Sequence, residues 1–147
     1  MNHARMLIRD AAAAALTGLD TTGTQVKASW PYATAPEQLP ALRIFMPSED
    51  LDDQLSNLNS RTGRVVTMIV IGYAAGALVA DTLDRIAAET EVALAASGNL
   101  GGLVKAIDYR GTTVDIDGDG TKRSGEIRLT FGVRYRTAVA DPSQTTN

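Results

Sequence analysis

The residues whose types and spacing could do chemistry begin with Asp115-Ile116-Asp117-Gly118-Asp119-Gly120, followed by Glu126. The spacing fits D-x-D-x-D-G-x5-E, the pattern of an EF-hand calcium loop. Three carboxylates, a backbone carbonyl and a bidentate Glu126 could surround a hard cation. An EF-hand loop joins two helices, however, and both flanks here alternate like strands. The eighth place of such a loop holds an apolar residue, and here it is Lys122. The expectation is therefore a polar hairpin turn, with Gly118 and Gly120 supplying positive φ, and no functional calcium site.

Other groups are weaker candidates. Gly98-Asn99-Leu100-Gly101-Gly102 is glycine-rich like a phosphate loop, but it follows a helical segment instead of preceding one. No helix N-terminus would then point at an anion, and a cap and connector is expected. Glu49, Asp50, Asp52 and Asp53 could be read as a carboxylate pair for acid–base work. Nothing local would separate their pKa values. They read instead as a solvated loop, or as a loop that orders against a partner. Arg128, Arg134 and Arg136 fall on one face of a strand, either a solvated face or a contact surface. No aromatic residue interleaves with them, which speaks against stacking on single-stranded nucleic acid. These seven charged residues are the candidate interface set. Trp30-Pro31-Tyr32 reads as a core edge or an interface anchor.

These groups must be carried by an α+β framework. Met6 to Leu16 has helical spacing and stops near Gly18. Thr24 to Trp30 is β-prone, and Pro31, Pro36 and Pro40 then make a stiff connection. Ala41 to Met46 reads as a strand ended by Pro47, followed by a long acidic and polar loop to Thr62. Arg64 to Tyr73 is apolar on both faces, as expected of a central strand covered on both sides, or by a helix and a subunit. Ala77 to Ala96 is an amphipathic helix with Val79, Leu83, Ile86, Thr90 and Leu94 on one face. Leu103 to Ile116 reads as a strand whose inward phase changes parity near Gly111, predicting a bulge there. Glu126 to Arg136 alternates, with Ile127, Leu129, Phe131, Val133 and Tyr135 on one side. The expected fold is a single mixed or antiparallel sheet of about five strands with two helices packed on one face. Residues 1–137 form the domain, and 138–147 a polar tail that is loose in isolation.

Length and composition limit the function classes. The chain has 147 residues, 44% of them hydrophobic and 21% charged, which suits one globular domain. It has no cysteine and a single histidine, His3. Thiol chemistry, thiolate metal sites and His-based triads are thereby excluded or nearly so. The formal net charge of −3 argues against free-standing binding to nucleic acid phosphates. No stretch reaches the roughly 18 apolar residues of a membrane span. The N-terminal segment reads as a helix, not a secretory signal, so cytoplasmic synthesis is expected. No nucleophile–base pair is legible, and neither enzyme activity nor a cofactor is expected.

The chain resembles the tail terminator proteins of long-tailed bacteriophages, the lambda-type minor tail U group also found in phage-derived gene transfer particles. The residues that carry the resemblance are Leu39-Pro40-Ala41-Leu42-Arg43-Ile44-Phe45-Met46-Pro47-Ser48-Glu49-Asp50 and Thr67 to Tyr73. It continues through Ala80 to Glu91, Leu100-Gly101-Gly102-Leu103, and Ile127 to Tyr135. It runs from the first helix to Thr137, and none of its motifs is a catalytic signature. It implies a structural virion protein at the head-proximal end of the tail, made in the host cytoplasm. There it would form a hexameric ring, stop polymerisation of the tail tube protein, and receive the head-completion or stopper protein. Genome DNA would pass through the lumen without specific binding, and no membrane is involved. A closing ring needs a head-to-tail interface. The alternatives are another head–tail joining part (a stopper or tube protein), a calcium-binding module, and an enzyme or small-molecule binder with the same build.

Overall fold

The computed structural model describes residues 1–30, 38–56 and 60–146. The elements in chain order are α1 (Ala4–Leu16), β1 (Val26–Lys27), β2 (Ala41–Leu51), β3 (Arg61–Ala75) and α2 (Val79–Ala96). There follow a one-turn helix, α3 (Gly98–Gly102), then β4 (Ala106–Asp117), β5 (Ser124–Ala138) and β6 (Asp141–Thr145). The sheet order is β1-β2-β3-β5-β4, with β6 pairing with β5. β1 lies parallel to β2 and every other pair is antiparallel, so the sheet is mixed and the fold is α+β. The sheet curls into a half-barrel.

Alternation in β5 sets the two faces. Ile127, Leu129, Phe131, Val133 and Tyr135 are buried, and their partners on β3 are Gly72, Val70, Met68, Val66 and Arg64. Helices α1 and α2 cover this face. α2 buries Val79, Leu83, Ile86, Thr90 and Leu94, the stripe expected from its period. Each large aliphatic side chain fully buried there contributes about 1.5–3 kcal/mol. α1 buries Ala4, Ile8, Ala12 and Leu16 at strict four-residue spacing. Its alanines allow close approach to β2, and Gly18 at φ 93 follows its end. Gly72 sets how near α2 can come: a Cβ there would sit 2.6 Å from Ile86 Cγ2. On the opposite face of β3, Ile71 is buried, whereas Val65, Ile69 and Tyr73 are half-buried. The central strand is thus covered fully on its helix side and in part on the other.

Several expected boundaries move. β2 does not end at Pro47. It continues to Leu51 through a bulge between Phe45 and Ser48, which takes the proline out of the hydrogen-bond ladder. β3 correspondingly begins at Arg61, so the long loop shrinks to residues 52–60, of which 57–59 lie outside the described residues. The bulge predicted near Gly111 is present, as a register shift between Tyr109 and Gly111. β1 has only two residues, fewer than Thr24 to Trp30 would allow. Pro31, Tyr32 and Pro36 lie outside the described residues. The C-terminal segment is not wholly a loose tail: Thr137 pairs with Thr145 and Ala138 with Asp141, and Thr146 N–H donates to Arg136 O at 2.9 Å. The polar side chains of 141–145 suit a short strand that caps β5 on one side only.

The turn after α2 is left-handed. Asn99, Leu100 and Gly101 have φ of 56°, 55° and 70°. Ser97 Oγ donates to Leu94 O at 2.7 Å and accepts from Leu100 N–H at 3.1 Å. This turn ends α2 and delivers buried Leu100 beneath it, as the cap-and-connector reading of the glycines requires.

Candidate assembly interface

Glu49 is the most heavily engaged of the four acids expected in the loop. The bulge in β2 gives it the inward phase, opposite Val66. Its Oε2 accepts from Arg5 Nη1 at 2.7 Å and from Arg64 Nη1 at 2.9 Å, and its Oε1 accepts from the Tyr135 hydroxyl. Its side chain is 14% exposed. Arg64 Nε also donates to Thr137 Oγ1 at 3.2 Å. Burial, then the hydrogen bond and the charge of Glu49, push the Tyr135 phenol far above its ordinary pKa, so it stays protonated as the donor. The cluster ties α1, β2, β3 and β5 together at one end of the sheet.

His3 completes this corner. Its Nδ1 accepts from Arg5 N–H at 3.1 Å and caps α1. Burial, then the charges of Arg5 and Arg64, lower the His3 pKa, which keeps the ring neutral and able to accept.

Asp52 and Arg134 also pair within the chain. Arg134 Nε donates to Asp52 Oδ2 at 2.7 Å, and its Nη2 donates to Gln54 Oε1 at 3.0 Å. The Arg134 hydrogen bond holds the Asp52 carboxyl below the usual carboxylate range. The segment after β2 folds against Gly63, where a Cβ would lie 2.4 Å from Asp52 O and 2.6 Å from Leu55 Cβ. Ser56 Oγ donates to Asp52 O at 2.9 Å and accepts from Gly63 N–H at 2.9 Å. Residues 52–56 are therefore anchored to the sheet rather than solvated along their length. The expectation of a solvated loop is corrected for Glu49 and Asp52, which are tied to arginines of the same chain. Asp50 and Asp53 are exposed.

The arginine stripe occupies the sheet face away from the helices. Arg128 lies 3.6 Å from Glu126 Oε1, and its side chain is 41% exposed. Arg136, opposite Gly63, is half-buried. Of the seven residues, the structure turns Glu49 inward, brings Asp52 and Arg134 together, leaves Asp50 and Asp53 exposed, and leaves Arg128 and Arg136 partly exposed.

The Asp115–Glu126 segment is a β-hairpin. Asp115 faces Glu126 across β4 and β5, and Gly120–Lys122 makes one turn of 3-10 helix. Gly118 and Gly120 have φ of 90° and 56°. Asp117 Oδ1 accepts from Gly118 N–H at 3.0 Å, as an aspartate does in a turn. No group of three histidine, aspartate or glutamate side chains converges on a metal position among the described residues. Trp30 packs on Phe45, ring centroids 5.0 Å apart and planes tilted by 41°.

One groove of about 650 Å³ lies between the Asp20-Thr21 turn, Pro40 and α2. One of its two acids, Glu89, is already engaged, accepting from Thr21 N–H at 2.9 Å and Thr21 Oγ1 at 2.5 Å. This pair is a brace between the turn and α2. No helix among the described residues is long and apolar enough to cross a membrane.

Sequence reasoning missed His3, Arg5, Arg64 and Tyr135 as a cluster. A signal was present: Arg64 and Tyr135 share the inward phase of their strands. It becomes readable only once Glu49 is placed beyond the bulge at Pro47.

No family model and no curated protein matches the chain. Among solved structures, the chain is similar to one from the virion of a native gene transfer agent particle, at 18% identity and a TM-score of 0.49 over 92% of each chain.

Proposed function

We propose that the protein is a structural virion subunit that forms a hexameric ring on the head-proximal end of a phage-type tail tube. The ring stops tube polymerisation and presents a surface to the head-completion protein, while DNA passes its lumen without specific binding. One observation carries the reading: the segments that carry the tail-terminator resemblance fall on the framework of one fold. Leu39 to Asp50 leads into and forms β2, Thr67 to Tyr73 lies in β3, and Ala80 to Glu91 lies in α2. Leu100 to Leu103 makes the left-handed turn, and Ile127 to Tyr135 lies in β5. The family pattern therefore coincides with the residues that build the helix–sheet core. Asp50, Asp53, Arg128 and Arg136 are the charged groups offered to partners, where rim charges govern association rate and register. Glu49, Asp52 and Arg134 hold the hairpin that presents Asp50 and Asp53.

The test is electron microscopy of particles made without this protein and with it restored. Overlong, headless tails without it, and tails of uniform length with it, are expected. Tails of normal length joined to heads in its absence would refute the role. A purified ring with a central hole would separate this reading from an enzyme or monomeric binder.

A further inference from the structure

The sheet has two ends, β4 and β1, and the first is unusual for a free edge. β4 is 12 residues long, and among the described residues no strand pairs with its outer side. Long edges of this kind invite pairing with another chain. Tyr109, Val114 and Ile116 lie opposite Phe131, Ile127 and Gly125 and so share the inward phase. They are nevertheless 51%, 52% and 39% exposed, because α2 covers β4 only in part. Leu94, Ile107, Tyr109 and Phe131 line a small cleft of about 220 Å³ at the same place.

We infer that this edge is covered by the β1 edge and helix α1 of a second copy, head to tail. This rests on the ring reading above and names its seam. Strand direction agrees. β4 runs antiparallel to β5, β5 to β3 and β3 to β2, with β1 parallel to β2. A second copy related by rotation about an axis along the strands therefore sets its β1 antiparallel to β4 and continues the sheet. Charge agrees as well. β4 presents exposed Asp108, Asp115 and Asp117 against one cation, Arg110, while residues 21–30 carry one charge, Lys27. Pairing β4 antiparallel with a second β4 along its length would instead set Asp115 of each copy opposite Asp108 of the other, which like-charge repulsion opposes. The apolar row also finds its cover. α1 packs on β1 and β2 on the helix side and leaves Met6 and Leu7 each 40% exposed. Across the seam it overhangs Tyr109, Val114 and Ile116. An interface made of two different edges leaves one of each open after every addition, so it grows until rotation closes it.

Two variants of the full chain test the seam: Val114→Lys with Ile116→Lys on β4, and Leu7→Glu with Lys27→Glu on the opposite edge. All four positions are on the surface, and unchanged melting shows that each variant folds. Mass photometry and sedimentation are run across concentration, alone and with tail tubes. Each variant alone is expected to weaken self-association by about tenfold or more. An equimolar mixture retains one intact edge of each kind and should give 1:1 dimers and nothing larger. Wild-type-like rings from the β4 variant would overturn this edge assignment and leave the ring reading standing. Dimers of the Leu7/Lys27 variant alone would show β4 pairing with itself, and folded variants that fail to dimerise when mixed would also overturn it. A wild type that stays monomeric alone and on tubes would overturn both.

Discussion

Replacing Glu49 by Gln should destabilise the monomer, although Glu49 lies among acids that look like loop surface. The carboxylate is 14% exposed and takes three hydrogen bonds. Bonds to charged groups contribute about 1.5–3 kcal/mol when buried. Arg5, at 39% exposure, is discounted to about 0.5 kcal/mol as a largely solvated partner. Arg64, at 20%, keeps about 1.5 kcal/mol, and the Tyr135 hydroxyl about 1 kcal/mol. Gln retains one acceptor oxygen, so the net loss is about 2 kcal/mol. For a chain of this size that lowers Tm by about 4–8 °C. Urea and thermal unfolding read the change, with Asp50→Asn as an exposed control that should stay within about 0.5 kcal/mol of wild type. A cycle with Tyr135→Phe should show coupling of about 1 kcal/mol. A Glu49→Gln protein as stable as the Asp50→Asn control would refute the view that this acid holds the corner of the fold.

Gly72→Ala drives a methyl into Ile86 and Ile127 and should cost about 1–3 kcal/mol in urea unfolding. Gly132→Ala meets the guanidinium end of Arg110 first, which can swing away, and should be close to neutral in the same assay. Thr90 is fully buried in α2, and its Oγ1 has no hydrogen-bond partner among the described residues, so Thr90→Val should gain about 1 kcal/mol. His3 has a lowered pKa in the folded state, so its contribution is fully present above its ordinary value of 6.5 and is lost as pH falls through the folded value. Amide protection at the start of α1, corrected for the intrinsic pH dependence of exchange, should therefore fall on acidification in wild type but not in His3→Asn, a cap that does not titrate.

The elements that repeat their pattern over many residues were legible. α2 carries five buried positions at helical spacing, and β5 alternates over its whole length, so period alone identifies both. The bulge near Gly111 was legible for the same reason, because two phases of one strand disagree there. What failed was reading proline as a stop. Proline lacks the donor a ladder needs, so Pro47 reads as a strand end, yet a bulge places it outside the ladder and the pairing resumes at Ser48. That one misplacement made a strand end look like a loop. The polar strand β6 was invisible because its pairing depends on β5 alone and not on an apolar pattern of its own.

The same misplacement explains why the charged residues were only half understood. Composition marks Glu49, Asp50, Asp52 and Asp53 as equivalent, since they are close in sequence and alike in charge. Period two separates the first pair: once the strand runs to Leu51, Glu49 turns toward Arg64 and Tyr135 while Asp50 turns outward beside Val65. Asp52 then meets Arg134 from a distant strand, a pairing of residues 82 apart that no local window contains. A buried charge without a partner is costly, so an acid that points inward must find its cations within the chain. An acid that points outward is under no such demand and remains free to set register with another molecule. The pleat of β2 therefore separates Glu49, which holds the fold, from Asp50, and if the exposed acids meet a partner as proposed, neutralising Asp50 and Asp53 alone should impair assembly and leave stability unchanged.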